Sequence, residues 1–219
     1  YTCTMHGDDR RRRKRPMRGG RGLYWAARAH HLAGRTTRAT ALYRQVRAMD
    51  PLHWYGLHAE KRLLELGVTE DIPLRAASEA SPLPTPSLPA DVELLLGLGL
   101  ASDARERLAR LESALREAAP RGRRAEYIVA AYARAGDAYR GLRRAVAART
   151  QLNTAPTGSA EWAWRGAYPR PHEAVVRREA ARHGIPFEHV YATMRQESQY
   201  EPQVVSRADA IGLLQLIPS

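Results

Sequence analysis

The chain is almost without cysteine and almost without lysine. Cys3 is the only thiol in 219 residues. An internal disulfide framework is therefore excluded, and a packed interior has to supply the stability. Lysine occurs only as Lys14 and Lys61, yet the formal net charge is +12, so nearly all of the positive charge is arginine. Two readings of that excess stay open: an arginine-rich coding bias with the charges on solvated helix faces, or attraction to a polyanion such as nucleic acid, anionic lipid or acidic cell-wall peptide. No apolar run reaches the ~18 residues that a membrane-spanning helix needs. Glycine (16) and proline (14) are too few for collagen or a low-complexity chain. An apolar stretch behind a basic start is also missing, so no signal peptide is visible. The chain opens on Tyr1 rather than Met and stops at "LIPS", as a fragment would. No segment shows the period-two alternation of a half-buried strand.

What is present is helical. Residues 1–22, with "RRRRKRPMRGGRG", carry like charges and almost nothing to bury, and read as a solvated, disordered basic tail or, alternatively, a nucleic-acid arm. From Leu23 the pattern becomes amphipathic. "LYWAARAHHLAGRTTRATALYRQVRAMDP" splits at Gly34 into two helices that end at Asp50-Pro51. Ala27 and Ala39 are small enough for the two helices to approach closely, as in a tetratricopeptide unit of ~34 residues, although Trp25 is out of that register. "HWYGLHAEKRLLELG" is a third helix, closed by Gly67. "SPLPTPSLP" reads as an extended, exposed linker. Two further pairs follow, turning around Gly97 to Ser102 and at Gly136-Asp137. Each presents one apolar stripe that it cannot bury alone, so residues 23–165 are expected to stack as a superhelix of hairpins.

"TQLNTAPTGSAEWAWRGAYPRPH" reads as a loop. Its Trp162, Trp164 and Tyr168 either anchor two parts of the chain together or form a sugar-stacking platform. Beyond it, "HEAVVRREAARHG" is a helix ending at Gly184, and "IPFEHVYATMRQES" is another with Pro186 at its first turn. Phe187, Val190, Tyr191 and Met194 form one apolar stripe, and Glu197 sits at its edge at the helix C-terminus. Partial desolvation and the helix dipole both favour the protonated form of a carboxyl so placed, which is what a general acid needs. The alternative is an ion pair with Arg195 or Arg207.

The residues after Glu197 form a long ordered constellation: Glu197-Ser198, Tyr200, Pro202, Ser206, Gly212-Leu213-Leu214-Gln215 and Ile217-Pro218. It resembles the signature of the soluble lytic murein transglycosylases, goose-type-lysozyme-like enzymes that cut bacterial peptidoglycan. Leu214 stands where that family usually has Met, a volume-conserving change. Glu201 stands where Asn is usual and is expected to be exposed. "AYPRPHEAVV" is similar to the Tyr-Pro lead-in of the catalytic domain, and the hairpins resemble the α-superhelical region of the large periplasmic members.

The resemblance implies an all-α chain: a tetratricopeptide-like stack over residues 23–165, then the start of a lysozyme-like α domain over 166–219, cut off at its C-terminus. It implies a location in the periplasm or cell envelope, peptidoglycan glycan strands as the partner, no nucleic acid, no transmembrane segment, no cofactor and no metal. Cell-wall proteins are possible partners of the hairpins. Glu197 would be the one catalytic residue, acid first and base second in cleaving the MurNAc-GlcNAc bond, closing a 1,6-anhydro ring with no second carboxylate. Ser198 and Ser206 would position Glu197 and the substrate's acetamido group. Gln215 would hydrogen-bond sugar and Leu214 would line the cleft. Because the family's domain continues beyond Gly-Leu-Met-Gln, the 219-residue chain is expected to turn over weakly or not at all, with its last helices poorly packed. Two other classes remain as alternatives: a non-catalytic helical-repeat module that binds cell wall or peptide, and nucleic-acid binding through the tail.

Overall fold

A computed structural model describes residues 20–49, 51–69, 74, 76–80 and 85–218. Residues 1–19 of the basic tail, Asp50 of the first stop signal and residues 81–84 of the proline-rich linker lie outside the described residues. The described chain is all-helical, as the sequence pattern predicts, with twelve α-helices, one 3-10 turn and no strand among these residues. None of these helices is long and apolar enough to cross a membrane. The chain divides into two compact units, Tyr1–Leu74 and Arg75–Ser219. This division falls inside the stretch read above as one hairpin region, and residues 166–218 share their unit with the later hairpins.

The first unit holds α1 (Arg21–Leu32), α2 (Thr36–Met49) and α3 (Trp54–Glu65). Gly34 makes the first turn possible. Its φ of 70° lies in the left-handed region, and its N–H donates to the His31 carbonyl while Arg35 N–H donates to that of His30. Ala27 and Ala39 are fully buried, beside a core of Tyr24, Leu42, Tyr43 and Leu63. Trp25, out of register in the sequence, is 56% exposed.

The second unit contains α4 (Ala90–Gly97), α5 (Ala101–Arg110), α6 (Glu112–Ala118), α7 (Arg124–Arg134), α8 (Ala138–Ala145), α9 (Arg149–Leu152), α10 (Glu161–Ala167), α11 (Glu173–Arg182) and α12 (Phe187–Glu197). The stretch expected to form one helix after Gly97 to Ser102 is interrupted at Leu111, which separates α5 from α6. Asp137 is buried and caps α8: its Oδ1 accepts from Arg140 N–H at 2.8 Å and its Oδ2 from Arg140 Nη1 at 2.9 Å.

Two expectations are corrected here. The linker was expected to be exposed, but Pro86 and Leu88 are buried. Leu88 joins the core around Val92, Leu108 and Tyr132, and the Pro86 carbonyl accepts from Arg134 Nη1 at 2.7 Å. The segment expected to be a loop contains α10, whose buried side consists of Ala163, Gly166 and Ala167.

Glu112 ties α6 to both α7 and α8. Its carboxylate accepts from Tyr132 Oη at 2.6 Å, Arg116 Nη2 at 2.7 Å and Arg144 Nη2 at 2.7 Å. Burial alone would raise its pKa, but these three donors outweigh burial and hold the carboxyl below the ordinary glutamate range. A depressed folded-state pKa gives stability that is present at neutral pH and is lost as pH falls through the folded value. Glu112→Gln should therefore cost about 2 kcal/mol at neutral pH, the scale of a hydrogen-bonded charge left without its partner. Urea denaturation should show the gap to the parent shrinking well below the ordinary glutamate range.

Candidate active site

α11 and α12 pack through Val176, Tyr191 and Met194, and α8 adds Leu142 to the same cluster. Tyr200, just past the helix, completes it. The Tyr200 hydroxyl donates to the Tyr191 carbonyl at 3.2 Å, and burial pushes its phenol pKa up. Phe187, Val190, Leu213 and Leu214 pack around the edge, half-buried.

Glu197 is the last residue of α12. It is exposed, not at the half-buried edge that the stripe predicts. The buried position of that turn belongs to Ser198, seven residues past Tyr191, so the desolvation argument does not apply to Glu197. The arginine alternative fails as well. Among the described residues the Glu197 carboxylate makes no hydrogen bond and no ion pair, even in so arginine-rich a chain. Arg195 points elsewhere, donating to the Ala167 carbonyl and lying over the Tyr168 ring at 4.5 Å.

The helix ends in an unusual turn. Gln199 and Tyr200 have φ values of 52° and 67°, two consecutive non-glycine residues in the left-handed region. Such residues cost about 1–3 kcal/mol each and persist where their surroundings over-determine them. Ser198 supplies that determination. Its Oγ accepts from Tyr200 N–H at 3.1 Å and lies 2.9 Å from both the Met194 and Leu213 carbonyls. One buried hydroxyl thus fastens the Gly212–Gln215 turn to the end of α12. Ser198→Ala should cost about 2 kcal/mol, because buried partners are left unpaired. Chemical denaturation measures this, and a change below a few tenths would refute the role.

Ser206 closes a separate turn: its half-buried Oγ accepts from Ala208 N–H at 3.2 Å and Ala210 N–H at 3.1 Å. Gln215, with φ 49°, donates from Nε2 to the Val204 carbonyl at 3.1 Å and the Gly212 carbonyl at 2.9 Å. Those bonds shape the turn and occupy the amide nitrogen; Oε1 takes no bond among the described residues. Leu214 packs against the α11–α12 cluster. Glu201, expected to be exposed, is half-buried. It lines a small polar cavity with Arg105 and Arg140 and accepts from Gln203 N–H at 3.5 Å. No group of three or more His, Cys, Asp or Glu side chains arranged for a metal occurs among the described residues.

The stacked Trp164 and Tyr168 rings, 5.6 Å apart, connect α10 to α12 through Arg195, an arrangement that favours the anchoring reading of these aromatics. In the sequence Arg195 stands only as a possible partner for Glu197, and no local signal there announces its contact with Ala167 and Tyr168.

Residues 174–219 match the family model described as the transglycosylase SLT domain. Over this segment the chain is similar to the SLT domain. Over 43 residues the chain is 44% identical to the membrane-bound lytic murein transglycosylase C of Yersinia pestis (strain Pestoides F), a stretch covering 20% of this chain and 12% of that protein. The protein of the same name from Yersinia pseudotuberculosis serotype O:1b (strain IP 31758) gives the same values. The chain therefore spans about an eighth of the length of these curated relatives. In three dimensions it is similar to the 70 kDa soluble lytic transglycosylase of Escherichia coli, with a TM-score of 0.60 and 23% identity, over 93% of this chain and 30% of that one. At that identity the likeness shows a shared helical fold.

Proposed function

We propose that the protein cleaves peptidoglycan as a lytic transglycosylase, with Glu197 as its single acid and base. One juxtaposition carries the reading. An exposed carboxylate, without an arginine partner among the described residues, ends α12 beside a serine whose buried hydroxyl binds the Gly212–Gln215 turn to the same helix end. The SLT match over residues 174–219 covers this arrangement.

In this mechanism the Glu197 carboxyl gives its proton to the glycosidic oxygen between MurNAc and GlcNAc, and the C1–O bond breaks. The muramic 2-acetamido oxygen stabilises the positive C1 centre. The C6 hydroxyl of the same sugar then attacks C1, the Glu197 carboxylate takes its proton, and a 1,6-anhydro ring closes. Ser198 holds the helix end, and Gln215 Oε1 and Leu214 face substrate. Residues 23–165 serve as the hairpin region and 166–219 begin the lysozyme-like domain. The matched Yersinia proteins are named as membrane-bound murein transglycosylases, which supports a cell-envelope location. A net charge of +12 would draw the protein to the carboxylates of stem peptides in a salt-sensitive way.

Prolonged digestion of purified sacculi, followed by mass spectrometry of the released muropeptides, tests the reading. Products with 1,6-anhydromuramoyl ends are expected. Reducing ends would make the protein a hydrolase, and binding without cleavage by the full-length protein would make it a helical-repeat binding module.

A further inference from the structure

We propose that Arg195 is a positioning residue that holds the last turn of α12, and with it Glu197, against α10. This rests on the reading of Glu197 given above. An exposed side chain on the final residue of a helix has nothing of its own to fix it, and helix ends are where local opening starts. Something behind the helix has to supply the constraint. Arg195 and Glu197 are two residues apart, so their side chains leave the helix about 200° from one another. Arg195 cannot reach the carboxylate, but it can brace the opposite flank.

The contacts fit that task. Ala167 is the last residue of α10, and its carbonyl is one of those a helix C-terminus leaves without an internal partner. The Arg195 Nη1 donates to it, placing a cation where the α10 dipole favours one. The carbon of the same guanidinium lies over the Tyr168 ring, 4.5 Å from its centroid. Tyr168 stacks on Trp164 at 5.6 Å with 21° between planes, and Trp164 Nε1 donates to the Thr154 carbonyl at 2.9 Å. A planar guanidinium can hydrogen-bond and lie against an aromatic ring at the same time, a combination that an ammonium does not match. The C-terminal end of α10 thereby sets where the acid stands.

The test compares the protein with its Arg195→Met and Arg195→Lys variants by amide hydrogen exchange and by initial rates on soluble glycan strands. Arg195→Met should speed exchange at residues 196–200 by about tenfold while α1 to α3 exchange as before. Its kcat should fall about 10–100-fold with KM within about twofold, as for a displaced catalytic group rather than a lost binding contact. Arg195→Lys should recover part of both effects. Unchanged exchange at residues 196–200 overturns the proposal, whether or not the protein cleaves glycan. A raised KM with unchanged kcat also overturns it, by making Arg195 a binding residue. A full-length parent protein that cleaves no glycan refutes the reading of Glu197, and the exchange result then decides alone whether Arg195 holds the helix end.

Discussion

Glu197→Gln is expected to remove 1,6-anhydro products from a sacculus digest. A glutamine has the same size and shape but neither gives nor takes the proton. A positioned acid or base contributes roughly 10²–10⁴-fold to a rate, and here one carboxyl serves both halves of the cycle. The expected loss is at least about 10³-fold, measured as anhydromuropeptide yield against time. The fold should not notice. Glu197 is exposed and its carboxylate makes no hydrogen bond or ion pair among the described residues, so the melting temperature should stay within the range of an ordinary surface change of about 0.5 kcal/mol. Lost activity with unchanged stability is therefore the signature. Retention of a tenth of the activity or more would sink the assignment and turn attention to Glu201 in its polar cavity with Arg105 and Arg140.

The sequence displayed the hairpins clearly and the site only in outline, for physical reasons that individual residues illustrate. Helix pairs around Gly34 and Gly136 were legible because an apolar period of 3.6 and a turn glycine are both local signals. α10 was not, because it buries Ala163, Gly166 and Ala167, whose small side chains give an apolar pattern little weight. Pro86 and Leu88 were assigned to an exposed linker because composition describes a segment on average, whereas their burial comes from contacts with helices far along the chain. At the site, the order of Glu197, Ser198, Ser206 and Gln215 was legible as a motif. The exposure of Glu197 was not. Apolar periodicity cannot announce that a serine is the buried residue of the turn, because Ser198 is buried through its hydrogen bonds. Arg195 illustrates the same limit: its partners at the end of α10 and just past it are 28 and 27 residues earlier, and an arginine's sequence neighbours say nothing about a distant carbonyl or ring.

Gly166→Ala should be among the most damaging small substitutions in the second unit. α10 packs on α7 and α8 so closely that a methyl group at position 166 would lie 2.5 Å from Val129 Cγ1 and 2.8 Å from Ala145 Cβ. Val129 has a side-chain torsion that could relieve the first contact. Ala145 has none, so the second can be relieved only by moving α8 or α10 as a body. That movement would loosen Ala163 and Ala167, both fully buried. The α10 C-terminus and Tyr168 receive Arg195, so the disturbance would pass to α12. Overpacking typically costs about 1–3 kcal/mol, and the upper end is expected where one neighbour cannot turn aside. For a chain of this size the loss is roughly 6–12 °C in melting temperature. The gain in helix propensity from Gly to Ala, about 1 kcal/mol, works against the effect and makes a large loss the more diagnostic. Adding Ala145→Gly to the variant removes the rigid contact. The coupling between the two substitutions should then exceed about 1 kcal/mol in favour of the pair. Strictly additive losses would show that the approach of α10 to α8 is not what makes glycine necessary at position 166.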